Sequence, residues 1–336
     1  MNVFLVTSPL QYICANEARL AYTAKKNLLI IINQDNPTGR IQMSSVINEG
    51  DWDYTLYFDR NKRTTTTPKI IKSIKKLSNG NLDTLFYSEY NAWRSKLIIK
   101  NLEFKKHIFF DDGTMTFFDY YDHIKDKGSY HRKRLVQDML LRTQGVKPIG
   151  ILPFFENTEI FSIFRFPECN IKYRENTLTH LRNSIDICSE SFKSYSIFIG
   201  QGSIDEKDRI SLSEYLLILK KAISNAKYPL LYIPHRTEAS HVSDEIKKLH
   251  NLVYHKPTFP IEIELFKSKI TPVEIIGLSS TALYTLSIIY PNSIISTLEI
   301  INPFQTPRDK RISDYLSDYF NSIKNKKINS KTTCSL

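Results

Sequence analysis

Apolar runs rich in Val, Ile, Leu, Phe and Tyr alternate with helix-compatible stretches along both halves of this chain. Residues 3–6, 27–33, 54–58 and 84–87 read as strands, residues 10–25 and 69–77 as helices, and residues 64–68 as a small polar loop. Apolar runs without polar alternation suit strands buried on both faces, and strand–helix alternation predicts mostly parallel sheets covered by helices. A second strand–helix series begins at Tyr195, after an expected linker near 185–195. A chain of 336 residues is too long for one ordinary core, so two domains are expected.

Three polar islands follow strand-like runs. Asp111-Asp112-Gly113-Thr114 follows residues 107–110, Pro234-His235-Arg236 follows 228–233, and Ser279-Ser280-Thr281 follows 273–278 and opens a helix-compatible run. Open α/β sheets hold ligands outside the carboxyl ends of their strands, where these islands fall. Gly113 permits a tight turn, and serines at a helix start cap it and face an anion. Taken singly, Asp-Asp-Gly is a turn signal, Pro-His a loop and Ser-Ser-Thr a cap. Together they supply a carboxylate, an imidazole and hydroxyls. That set suits glycosyl transfer from a nucleotide sugar without a metal, with a base for the acceptor and donors for the departing phosphate.

The order and spacing of these islands resemble the bacterial sialyltransferases of glycosyltransferase family 52 and, more distantly, the bacterial polysialyltransferases. The resemblance extends to residues 2–11, to 196–205, and to 252–296 with its Pro260-x-Glu262, and covers most of residues 1–300. One departure is that the family's second motif reads His-Pro, whereas His235 here follows Pro234 and precedes Arg236. Arg236 has a planar fork suited to a phosphate or carboxylate.

The resemblance implies a GT-B fold, with two Rossmann-like domains facing a central cleft. The expected boundaries are 1–190 for an acceptor-side domain with an irregular insertion at about 115–190, 191–305 for a CMP-sugar domain, and 306–336 for a basic amphipathic helix and tail. The insertion contains the aromatic cluster Phe117, Phe118, Tyr120 and Tyr121 and the basic stretch 131–134, and is expected to act as a lid or acceptor-facing element. The implied reaction is inverting transfer of sialic acid from CMP-sialic acid, with no cofactor and no metal, to a galactose-terminated oligosaccharide of lipopolysaccharide, O-antigen or capsule. Alternatives are CMP-Kdo or another CMP-nonulosonate as donor, or a non-catalytic protein that binds anionic glycans.

In this reading His235 serves the phosphate, as acid or hydrogen-bonding cation, while Ser279, Ser280 and Thr281 hold phosphate oxygens. Glu262 accepts from ribose hydroxyls, and Thr7, Ser8 and Gln11 flank the sialic acid or acceptor. Family 52 places its base on the loop opening the second domain, which points to Asp205 or, because this loop is longer, Asp208. The distant relatives use the first acidic residue of the Asp-Asp-Gly motif, which points to Asp111 beside Asp112. The intact motif favours Asp111.

Net charge is +11, which fits an anionic substrate or membrane face. No nucleic-acid module is present and the basic residues are dispersed, so nucleic acid is not an expected partner. Residues 309–327 read as a helix with one apolar stripe of Ile312, Tyr315, Leu316, Tyr319, Phe320 and Ile323, and basic residues follow. Such a stripe either packs on a domain or rests on an anionic leaflet, near a lipid-linked acceptor. No signal peptide or membrane span is expected, and four dispersed cysteines fit a reducing cytoplasm.

Overall fold

In the computed structural model, which describes residues 1–24, 26–166, 169–186, 192–207, 209–298 and 307–324, every apolar run discussed above becomes a strand. The chain divides into two units, Met1–Thr179 and His180–Leu336.

The first unit carries β1 (Asn2–Val6), β2 (Asn27–Asn33), β3 (Tyr54–Asp59), β4 (Thr84–Tyr87), β5 (Lys106–Phe110), β6 (Tyr130–Arg132), β7 (Gly150–Leu152), β8 (Thr158–Ser162) and β9 (Lys172–Glu175). Its main sheet has seven strands in the order β3-β2-β1-β4-β5-β8-β9, all paired in parallel. All five residues of β1 are buried, as a strand covered on both faces requires. Phe4 stacks on Phe86 at 4.1 Å and packs edge-on against Trp52, joining β1 to β4 within the core. Burying a phenylalanine of this kind contributes about 1.5–3 kcal/mol.

The second unit carries β10 (Lys193–Ile199), β11 (Leu230–Ile233), β12 (Leu252–Tyr254), β13 (Ile270–Leu278) and β14 (Ile294–Leu298). These form a five-stranded parallel sheet in the order β12-β11-β10-β13-β14. Both sheets have their switch point where the order reverses, between β1 and β4 and between β10 and β13. Ligands of open α/β sheets bind beside such points.

Two expectations change. The irregular insertion is narrower than 115–190: Thr158–Ser162 is a buried apolar run that pairs with β5, and β9 extends the same sheet. What lies between is a short helix, Met115–Asp119, a π-turn, Tyr120–Ile124, and the antiparallel β6–β7 pair around the helix Leu135–Thr143. Residues 64–67, read as a polar loop, instead belong to the helix Arg63–Ser78, with Pro68 inside it. Pro68 cannot donate to the carbonyl of Thr64, and the Gln144 side-chain amide donates to that oxygen at 3.2 Å. The helix expected at 309–327 is present over Pro307–Lys324, and residues 325–327 lie outside the described residues. Its Leu316 and Phe320 are buried, with Phe320 against Tyr284, so this part of its apolar stripe packs on the second unit. Asp208, Cys188, Cys334 and the basic residues after Lys324 lie outside the described residues.

Candidate functional site

In the first unit the candidate residues gather at the carboxyl ends of β1, β4 and β5. Ser8 follows β1 and caps the helix Pro9–Ala21, its Oγ accepting from the backbone of Gln11 at 3.3 Å. Gln11 is buried and fully engaged. Its Oε1 accepts from the Thr7 backbone N–H at 2.6 Å, and its Nε2 donates to Asp112 Oδ1 at 2.6 Å. Thr7 Oγ1 donates to Glu89, which follows β4, at 3.3 Å. The loops on either side of the switch point are thereby tied to each other and to the acidic island.

The two carboxylates of that island differ. Asp111 is 0% exposed, with one oxygen accepting from the Ser162 hydroxyl and the other from the Ile163 N–H at 2.8 Å. Burial pushes its pKa up to about 7, opposed by hydrogen bonds from Ser162, Ile163 and Thr116. Asp112 is half-buried, and its backbone N–H donates to Thr116 Oγ1 at 2.9 Å. The chain then turns through Gly113 at φ 61, the left-handed region where a side chain would be strained. Asp111 therefore anchors β5 to β8, while Asp112 is the carboxylate at the surface of this edge.

In the second unit the Pro234-His235-Arg236 island sits at the carboxyl end of β11. His235 Nδ1 lies 2.7 Å from Thr237 Oγ1 and accepts from the Thr237 backbone N–H at 3.2 Å. A backbone N–H can only donate, so Nδ1 is the acceptor and the proton of the neutral ring sits on Nε2. Desolvation first, and the positive charge of Arg236 second, hold the pKa of this imidazole below its ordinary value. The turn is braced from behind. Glu238 accepts from Tyr232 and, at 2.8 Å, from Tyr254, and its N–H donates to the His235 carbonyl at 2.9 Å. Gly202, on the loop after β10, approaches closely: a Cβ there would lie 2.8 Å from both His235 Nδ1 and Thr237 Oγ1.

Ser280 is the N-cap of the helix Thr281–Ile289, its Oγ accepting from the Leu283 N–H at 3.2 Å. Ser279 precedes it at the end of β13, half-buried, and Thr281 opens the helix. Glu262 is buried in the helix Ile261–Lys267 and accepts from Thr285 Oγ1 at 3.4 Å. Burial raises its pKa, and Arg236 opposes that rise, so the arginine acts on Glu262 and His235 alike. Glu264 is occupied differently. It accepts from Thr258 N and Phe259 N at 2.9 and 2.7 Å and pairs with His255 at 2.7 Å, which fixes the loop entering this helix.

Asp205 lies on the loop after β10, as Gly202 does. It is exposed, its backbone has φ 64, and its carboxylate lies 3.4 Å from the Leu212 N–H and 3.5 Å from His241 Nε2. It holds the loop leading into the helix Leu212–Asn225. Glu89, Ser162, Gly202, Thr237 and Glu238 were not legible as site residues, because each acts through a neighbour that only the fold supplies. Among the described residues no three His, Cys, Asp or Glu side chains converge as a metal site. Asp51 and Asp53 are engaged with Arg19 and the Asn27 N–H.

No family model and no curated protein sequence matches the chain. Solved structures do match. The α/β-galactoside α-2,3-sialyltransferase of Photobacterium phosphoreum superposes with a TM-score of 0.55 at 13% identity, covering 95% of this chain and 95% of that one. The GT-B domain of a sialyltransferase from Photobacterium damselae superposes with a TM-score of 0.51 at 13% identity, covering 96% of this chain and 97% of that one. With its two parallel sheets, the chain has the GT-B fold that these bacterial sialyltransferases share.

Proposed function

We propose that this chain is an inverting glycosyltransferase that moves sialic acid from CMP-Neu5Ac to a galactose-terminated glycan of lipopolysaccharide, O-antigen or capsule. The observation that carries the reading is the placement of all three islands at carboxyl strand ends of a GT-B fold, with Asp112 half-buried and oriented by Gln11. The fold likeness to an α/β-galactoside α-2,3-sialyltransferase supports it.

Asp112 is the base in this reading, taking the proton of the acceptor hydroxyl. Asp111 is a positioning residue: it is wholly buried and both its oxygens are engaged, so it acts through the backbone that carries Asp112. This differs from the expectation that Asp111 is the base. Negative charge develops on the leaving phosphate as its bond to the anomeric carbon breaks. His235 donates to it from Nε2, Arg236 supplies a positive charge, and Ser279, Ser280 and the helix start supply hydroxyl and N–H groups. Glu262 accepts from the ribose hydroxyls. CMP carries one phosphate, so these groups serve without a metal ion. Asp205 remains a loop anchor.

Thermal unfolding with free nucleotides tests the donor assignment. CMP at about 100 times its Kd stabilises the protein by about 2.7 kcal/mol, read as a raised Tm, and UDP at the same concentration does not. A shift with UDP and none with CMP would contradict the reading.

A further inference from the structure

No described helix is long and apolar enough to cross a membrane, and the C-terminal helix buries Leu316 and Phe320. A different helix leaves its apolar side uncovered. In Leu135–Thr143 only Leu141 is buried, whereas Leu135, Val136, Met139 and Leu140 are 88%, 78%, 65% and 51% exposed. Their spacing places all four on one side of the helix. Ile151 on β7, opposite His131 of β6, is also exposed. Exposed apolar side chains gathered in this way mark an interaction surface.

What surrounds the patch identifies its partner. Residues 131–142 contain four Lys and Arg against one acidic residue, Asp138. Lys133, Arg134 and Arg142 are exposed, while Asp138 is half-buried and accepts from the Arg134 N–H at the helix start. An apolar helix side rimmed by cations complements a surface that is apolar beneath and anionic above. We propose that the helix Leu135–Thr143 docks the protein on an anionic lipid bilayer, its apolar side in the headgroup boundary and its basic rim on the headgroups. This surface stands on its own residues and does not depend on the assignment of the reaction. For the proposed transferase, it brings the enzyme to a lipid-linked acceptor.

Cosedimentation of the full chain with vesicles tests this. The protein binds vesicles of mixed phosphatidylcholine and phosphatidylglycerol, does not bind phosphatidylcholine alone, and is released by salt. Leu135→Gln with Met139→Gln lowers the partition coefficient by about tenfold or more, as expected when two inserted side chains are lost. Lys133→Glu with Arg134→Glu lowers it by about thirtyfold or more. Tm is unchanged in both, because all four side chains are exposed. Three results would overturn the proposal: no binding to mixed vesicles, unchanged binding by the Leu135/Met139 pair, or a dimer in sedimentation velocity that the same pair dissolves. The last would assign this surface to a second copy of the chain.

Discussion

Asp112→Asn lowers turnover by about 10²–10⁴ with thermal stability little changed, because the amide keeps the shape of the carboxylate and removes only its basicity. Asp111→Asn separates the two carboxylates. Asparagine at that site still accepts from the Ile163 N–H and donates to Ser162 Oγ, so the anchor between β5 and β8 survives and activity stays within about tenfold. Asp111→Ala instead leaves the Ser162 hydroxyl and the Ile163 N–H without their partner and costs about 1–3 kcal/mol for each. Asp205→Ala retains activity. The reverse pattern, with Asp111→Asn inactive and Asp112→Asn active, would return the base to Asp111.

The pH dependence of stability gives Asp111 an independent readout. Burial raises its pKa to about 7, above the value of an unfolded chain, so the folded state binds the proton more tightly. The favourable contribution of this group is therefore full below about pH 4 and is lost as pH rises through about 7. Asp111→Asn removes that loss. Asp119, raised to about 7 mainly by burial, retains its own share of the same slope.

His235→Ala lowers turnover by about 10²–10⁴ and costs about 0.5–1.5 kcal/mol of stability, because the Thr237 N–H loses its acceptor. The Nε2–H tautomer defines the role further. A donor to phosphate is replaceable in part by another N–H, so His235→Gln recovers about tenfold or more of the loss. If the ring had to deliver a proton, glutamine would be as inactive as alanine. Kinetic constants measured for both variants decide between the two.

Much of this molecule was legible in its sequence because the information is local. Strands buried on both faces write themselves as unbroken apolar runs, and the islands at their ends mark the edge where ligands bind. The bracing residues are long-range and were not legible. Ser162 matters because β8 pairs with β5, and Glu238 matters because Tyr232 and Tyr254 lie on adjacent strands. Burial, too, is a property of the fold: nothing local distinguishes Asp111 from Asp112, yet one carboxylate is sealed behind β8 and the other is half-exposed. Residues 64–67 deceived for a related reason, since Pro68 breaks a helix unless something else takes up the freed carbonyl, and Gln144 does so from a distant segment. The apolar stripe of the C-terminal helix read as packed in preference to membrane-facing, and Leu316 and Phe320 are buried as packing requires.

The most direct test of the central claim is transfer from CMP-Neu5Ac to a β-galactoside, read by mass spectrometry in the presence of EDTA. The account predicts a product heavier by one sialic acid, formed by the unaltered chain and lost in Asp112→Asn and His235→Ala. No product together with no stabilisation by CMP would contradict it and leave a binding protein on a GT-B fold.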